Sequence, residues 1–158
     1  MLEVRNLPRA ALPQPAPSPT ELIETTIDSQ RGGMVWRRAF PGTLDQIPHA
    51  RHMVRFLLGD CPRRDDAELI ASELAGNAVR HTWSGHDQGT FVVEVSRTGQ
   101  VVTVAVYDRG RGGTPRFGTR CEAVAEFGRG LAIVVALADQ VGYEGSGEHG
   151  HRVWARLS

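Results

Sequence analysis

Two β-rich runs, TFVVEV at Thr90–Val95 and VVTVAVYD at Val101–Asp108, are separated by a Thr98-Gly99-Gln100 turn. This arrangement predicts a β-hairpin. Two helical segments flank it. DDAELIASELAGNAVRHT, Asp65 to Thr82, repeats Ala67, Ile70, Ala71, Leu74, Ala75 and Ala78 at helical spacing, which marks a buried stripe. RGLAIVVALAD, Arg129 to Asp139, is apolar on most faces and therefore reads as a buried helix. Helices kept on one face of a mixed, mostly antiparallel sheet give a two-layer α/β sandwich.

The remaining elements fit that plan. MVWRRAF, Met34 to Phe40, reads as a first strand, interrupted by Pro41-Gly42. TLDQIPHARHMVRFLLGD follows as a helix, with Thr43 and Gln46 at capping-box spacing and a stripe of Ile47, Ala50, Val54, Leu57 and Leu58. Asp65, with Glu68 three residues on, is expected to cap the next helix. Two closing strands are expected near Gln140–Glu144 and Arg152–Leu157. Five of the nine prolines fall in the first nineteen residues. Residues 1–33 are therefore expected to form an extended or disordered arm outside an ordered domain at 34–158.

Composition narrows the chemistry. The chain has 158 residues, 41% hydrophobic and 23% charged, with zero formal net charge. That suits one globular domain and supplies no global field for nucleic acid or an anionic membrane. No apolar run approaches the roughly 18 residues of a membrane span, and the N-terminus lacks the order of a signal peptide. A cytoplasmic protein is the expectation. Cys61 and Cys121 have no Cys-x-x-Cys partner and read as free thiols. All eighteen basic residues are arginine. The absence of lysine excludes a Walker A loop and lysine Schiff-base chemistry, and it argues against the eukaryotic protein-kinase plan.

Polar residues interrupt the helix stripe in ELAGNAVRHT, Glu73 to Thr82. Glu73 and Asn77 are four apart and so diverge by only about 40° along the margin of the apolar stripe. Taken alone, they read as boundary residues that reach water. A carboxylate and an amide on one helix wall also suit a divalent cation or the activation of a hydroxyl. Downstream, YDRGRGG sets Asp108 at a strand end before Gly110 and Gly112. An ordinary turn has this form, and so does a site where backbone approaches a planar ligand and aspartate accepts from its amino group. FGRGLAIVV opens the last helix with Gly128 and Gly130, leaving N–H groups and a positive dipole end free for phosphate.

In this order ELAGNAVRHT, DRGRGG and GRGLAIV resemble the N-box, G1 box and G2 box of the GHKL ATPases, which have the Bergerat fold. The short lid and the closing VWARL are most similar to the anti-sigma-factor/serine-kinase branch found in actinobacterial regulators. The resemblance covers roughly Trp36 to Leu157. It implies ATP and Mg²⁺ as cofactors, with Asn77 as the Mg²⁺ ligand and Glu73 as general base. It implies that Asp108 accepts from the adenine amino group while Gly110 and Gly112 let the loop close. Gly128, Arg129, Gly130 and Leu131 would hold the phosphate end, and His81 would border it. The implied partners are a sigma factor and a STAS-type anti-anti-sigma protein, with homodimerisation through the sheet face.

Relatives often carry threonine before the final strand, near the adenine, and Arg152 is expected to occupy that place. His149 and His151 form a His-x-His pair without a third ligand and read as a loop. His49 and His52 read as solvent-facing or interface residues. Trp36, Trp83 and Trp154 read as core or sheet-surface aromatics, and arginines 109, 111, 116, 120 and 129 make the lid basic. The leading functional expectation is an ATP-dependent anti-sigma factor with serine/threonine-protein kinase activity. A non-catalytic regulator whose lid is ordered by ATP is the alternative. A detached histidine-kinase catalytic domain fits less well, because the lid is short and no phosphoacceptor helix is evident.

Overall fold

The computed structural model describes residues 4–6, 24–28, 32–111, 115, 117 and 126–158. Seven strands appear in these residues: β1 (Val4–Asn6), β2 (Glu24–Asp28), β3 (Gly33–Pro41), β4 (Thr90–Thr98), β5 (Val101–Tyr107), β6 (Gln140–Ser146) and β7 (Gly150–Leu157). The helices are α1 (Ile47–Leu58), α2 (Arg64–His81) and α3 (Glu126–Leu137). They form one sheet in the order β1-β6-β7-β5-β4-β3-β2. Its middle five strands are antiparallel, β2 extends them antiparallel to β3, and β1 pairs parallel with β6.

The expected hairpin is β4–β5, with Thr98 opposite Val101 and Gly99 at φ +61° in the turn. Alternation then divides the two sheet faces. Phe91, Val93 and Val95 on β4, and Val102, Val104 and Val106 on β5, are buried in one core with the α1 and α2 stripes. Every predicted stripe residue of α2 is buried there, from Ala67 to Ala78. In α1 Ala50, Val54 and Leu58 are buried, while Ile47 and Leu57 pack partly against the core and Met53 joins them. This is a two-layer α/β sandwich.

Three local expectations change. Two segments of the N-terminal arm, β1 and β2, pair with opposite edges of the sheet. The exposed N–H and C=O groups of an edge can recruit a further strand, and ETTID brings β-branched residues to one of them. Thr43 makes no capping bond, because a 3-10 turn at Leu44–Gln46 precedes α1 and Gln46 takes the cap position. α2 starts one residue before Asp65, with Arg63 as N-cap. Glu68 pairs instead with Arg51 and Arg55 of α1, so the acid placed for a cap fastens two helices together.

Candidate functional site

The first wall of the site is α2. Its alanines pack inward, which turns the margin carrying Glu73 and Asn77 toward the first turns of α3. The two helices meet so closely that a Cβ on Gly130 would lie 2.6 Å from Glu73 Oε2 and 3.6 Å from Asn77 Oδ1. Glycine at 130 is therefore what lets the acid, the amide and the α3 backbone share one place. Both polar residues are half-buried, and among the described residues the enclosed Asn77 Nδ2 has no hydrogen-bond partner. An enclosed amide that lacks a partner is a costly arrangement for a purely structural residue.

The second wall is the turn after β5. The Asp108 side chain is only 7% exposed. Its Oδ1 accepts from the backbone N–H of Gly110 at 2.7 Å and of His151 at 3.1 Å. Among the described residues both donors fall on Oδ1, which leaves Oδ2 to accept from a ligand. Gly110 has φ +77°, and a Cβ there would sit 2.5 Å from the Gly147 carbonyl oxygen. The turn is anchored on two sides. Trp83 N–H donates to the Gly110 carbonyl and Arg109 N–H to Ser84 Oγ, while Arg111 N–H donates to the Gly147 carbonyl. Arg111 also lies 4.4 Å above the Trp83 ring, a cation–π contact that holds the turn against the segment following α2.

The other residues singled out from sequence divide. Leu131 is buried in the core, Arg129 is exposed, and His81 ends α2 partly buried. Gly128 lies in the first turn of α3. Gly112 falls outside the described residues, as do Arg116, Arg120 and Cys121. His49 and His52 are exposed, as expected, and Trp83 is half-exposed.

Arg152 does not lie beside Asp108. It points to the opposite sheet face, where it pairs with Glu94 and Glu144. The residue beside Asp108 is His151, 2% exposed, with Nδ1 3.6 Å from Asp108 Oδ1. The His149/His151 pair is split, since exposed His149 contacts Ser146 while His151 is buried. Period-two alternation carried this signal: His151 shares parity with buried Val153, Ala155 and Leu157, and Arg152 does not.

The donor set fits a hard cation that takes few protein ligands. Among the described residues no group of three His, Cys, Asp or Glu side chains could enclose a metal. Asn77 offers a carbonyl oxygen at the cleft, and a half-turn of its amide exchanges the oxygen with the unpartnered nitrogen. A Mg²⁺ ion bound there would draw its remaining ligands from phosphate oxygens and water.

Similarity to known proteins agrees with this geometry. The sequence model of the histidine kinase-like ATPase domain matches residues 40–157. Among solved structures, the RsbU and RsbW domains of Rv1364c from Mycobacterium tuberculosis are similar in fold, with TM-score 0.53 and 22% identity. That alignment covers 76% of this chain but 31% of the other, so this chain spans about a third of that protein's length. No curated protein matches the sequence significantly. The acid/amide helix, the strand-end aspartate turn and the glycine-opened helix all lie within the matched span, and the chain belongs to the histidine kinase-like ATPase domain family.

Proposed function

We propose that the protein binds Mg·ATP and transfers its terminal phosphoryl group to a serine or threonine hydroxyl of a protein partner, acting as an anti-sigma factor. The partners under this reading are a sigma factor and a STAS-type antagonist that carries the hydroxyl. The observation that supports it is the close approach of Glu73 Oε2 and Asn77 Oδ1 to Gly130. It sets a carboxylate and a hard oxygen donor beside a helix start suited to phosphate. The fold likeness to an RsbW-containing protein favours the anti-sigma role.

In this reading Asp108 Oδ2 accepts from the adenine amino group, and the backbone around Gly128 and Gly130 faces the phosphates. The partner hydroxyl oxygen attacks the γ-phosphorus as the bond to the β-phosphate oxygen breaks. The hydroxyl proton passes to Glu73, and ADP leaves. When bound, Mg²⁺ supplies charge neutralisation at the phosphates. The protein supplies position and a base.

Glu73→Ala separates this function from simple nucleotide regulation. ATP binding persists in the variant, and phosphate transfer to the partner is lost. Transfer at the wild-type rate removes Glu73 from the mechanism. Wild-type protein that binds ATP and transfers phosphate to no partner is instead a regulator whose interface responds to the nucleotide. A pull-down from the native host with and without Mg·ATP, followed by phosphosite mapping, identifies the partner.

A further inference from the structure

A second charged cluster lies outside the cleft, on the sheet face opposite the helices. Glu94 of β4 is its centre, only 5% exposed. Its Oε2 accepts from Arg37 Nε at 2.6 Å and from the Tyr107 hydroxyl at 2.9 Å, and its Oε1 accepts from Arg152 Nη2 at 2.9 Å. Arg152 also donates from Nε to the Tyr107 hydroxyl at 3.1 Å and from Nη1 to Glu144 Oε1 at 3.3 Å. One guanidinium on β7 thus joins β4, β5 and β6. Two arginines balance two glutamates, and the geometry uses all three of the nitrogens that a guanidinium can present.

The position of this clamp relates it to the cleft. Tyr107 and Arg152 are register partners on the last rung of the β5–β7 pairing. Each is the chain neighbour of a residue in the cleft, Asp108 after Tyr107 and His151 before Arg152. Beyond the rung, Asp108 N–H donates to the His151 carbonyl, and His151 N–H returns a bond to Asp108 Oδ1. β5 ends there and the glycine turn begins, so strand-end fraying at this rung would move the carboxylate. Cross-strand charge-assisted bonds oppose that fraying.

We propose that Arg152 is a positioning residue for the nucleotide site, holding the ends of β5 and β7 together from the far face so that Asp108 keeps its orientation toward the base. The proposal rests on the reading of Asp108 as the adenine acceptor. Arg37 provides the control. It makes the other ion pair to Glu94, but it stands on β3, two strands from the Asp108 turn.

The test compares the full-length wild type with Arg152→Met, Arg152→Lys and Arg37→Met, at a temperature where circular dichroism shows all four folded. Calorimetry with ATP and ADP gives affinity, and amide hydrogen exchange at Gly110 and His151 reports the two donors to Asp108. Arg152→Met is expected to weaken both nucleotides by about tenfold, in keeping with the sensitivity of sites to small displacements. It should also speed exchange at both amides. Arg152→Lys recovers part of the affinity through its remaining charge on Glu94, whereas Arg37→Met lowers the melting temperature and binds within about twofold of wild type. Unchanged exchange in Arg152→Met, or the same affinity loss in Arg152→Met and Arg37→Met, overturns the positioning role. Faster exchange in Arg152→Met in a protein whose wild type binds neither nucleotide upholds the clamp and refutes the adenine reading of Asp108.

Discussion

Gly130 stands against Glu73 with no room for a side chain between them: a Cβ at 130 would lie 2.6 Å from the Glu73 carboxylate oxygen. Glu73 is a flexible side chain and can swing aside, so Gly130→Ala should move the carboxylate and leave the backbone in place. Alanine also gains about 1 kcal/mol of helix propensity over glycine, which offsets the lost packing. The expected outcome is a folded protein within about 1 kcal/mol of wild type in denaturant unfolding. Under the proposed function its phosphate transfer should fall by at least about tenfold, as alignment of the proposed base is lost.

Asp108→Asn tests the other end of the cleft. The asparagine oxygen can still accept from Gly110 and His151, so the turn should survive with a loss of about 1 kcal/mol or less. The amide nitrogen then replaces Oδ2 and, under the proposed function, presents a donor to the donor on adenine. ATP affinity is expected to fall by roughly 10- to 100-fold in calorimetry. Wild-type affinity in this variant would remove Asp108 from the site.

Glu94→Ala removes the shared partner of Arg37 and Arg152. Arg152 keeps Glu144, and Arg37 is 38% exposed and can recover water. The expected loss is about 2 kcal/mol, below the range for a fully buried pair, read from the midpoint of a urea titration.

The same carboxylate makes the fold acid-sensitive. Burial pushes the Glu94 pKa upward, but the charge and hydrogen bond of Arg152, and then those of Arg37, outweigh it, leaving it below the ordinary 4.5. A depressed folded value contributes stability that is present above the unfolded pKa and is lost as pH falls through the folded one. Melting temperature should therefore drop below about pH 4.5, and the Glu94→Gln variant should show less of that drop.

Tyr107 adds an alkaline dependence. Burial, and then the Glu94 charge, push its hydroxyl up to about 12 from 10.0. A raised folded value contributes stability that is fully present below the unfolded pKa and lost as pH rises through the folded one. The loss between about pH 10 and 12 should be on the order of 2 kcal/mol. In Tyr107→Phe that segment of the stability profile should flatten.

How much of this could be read along the chain depends on the range of the interactions. The hairpin, the α2 stripe and the buried character of α3 are local patterns, set by period-two and 3.6-residue repeats and by a glycine turn. They determined the α/β class and the order of the three glycine and polar boxes without any coordinates. Helix starts were less legible, because a cap competes with tertiary partners. Thr43 lost its capping role to a 3-10 turn, and Glu68 went to Arg51 and Arg55. The pairing of β1 with β6 joins residues far apart in sequence, whereas β2 pairs locally with β3, and proline spacing in the arm carries no signal for either.

The site shows the same division. Residue types and spacing in sequence marked Glu73, Asn77, Asp108 and Gly130 as candidates, and the order of their segments with the family resemblance gave them roles. The meeting of Glu73 and Asn77 with Gly130 was decided by α2 and α3 packing at glycine distance, and the setting of Asp108 by the return of the β6–β7 hairpin to its turn. Arg152 and His151 are neighbours in the chain, yet strand alternation sends one to the Glu94 cluster and the other to Asp108. The sequence by itself determined which groups are available, because side-chain chemistry and local periodicity are properties of short segments. Only the tertiary structure decided which of them face one another, because burial and register depend on strands and helices brought together from distant parts of the chain.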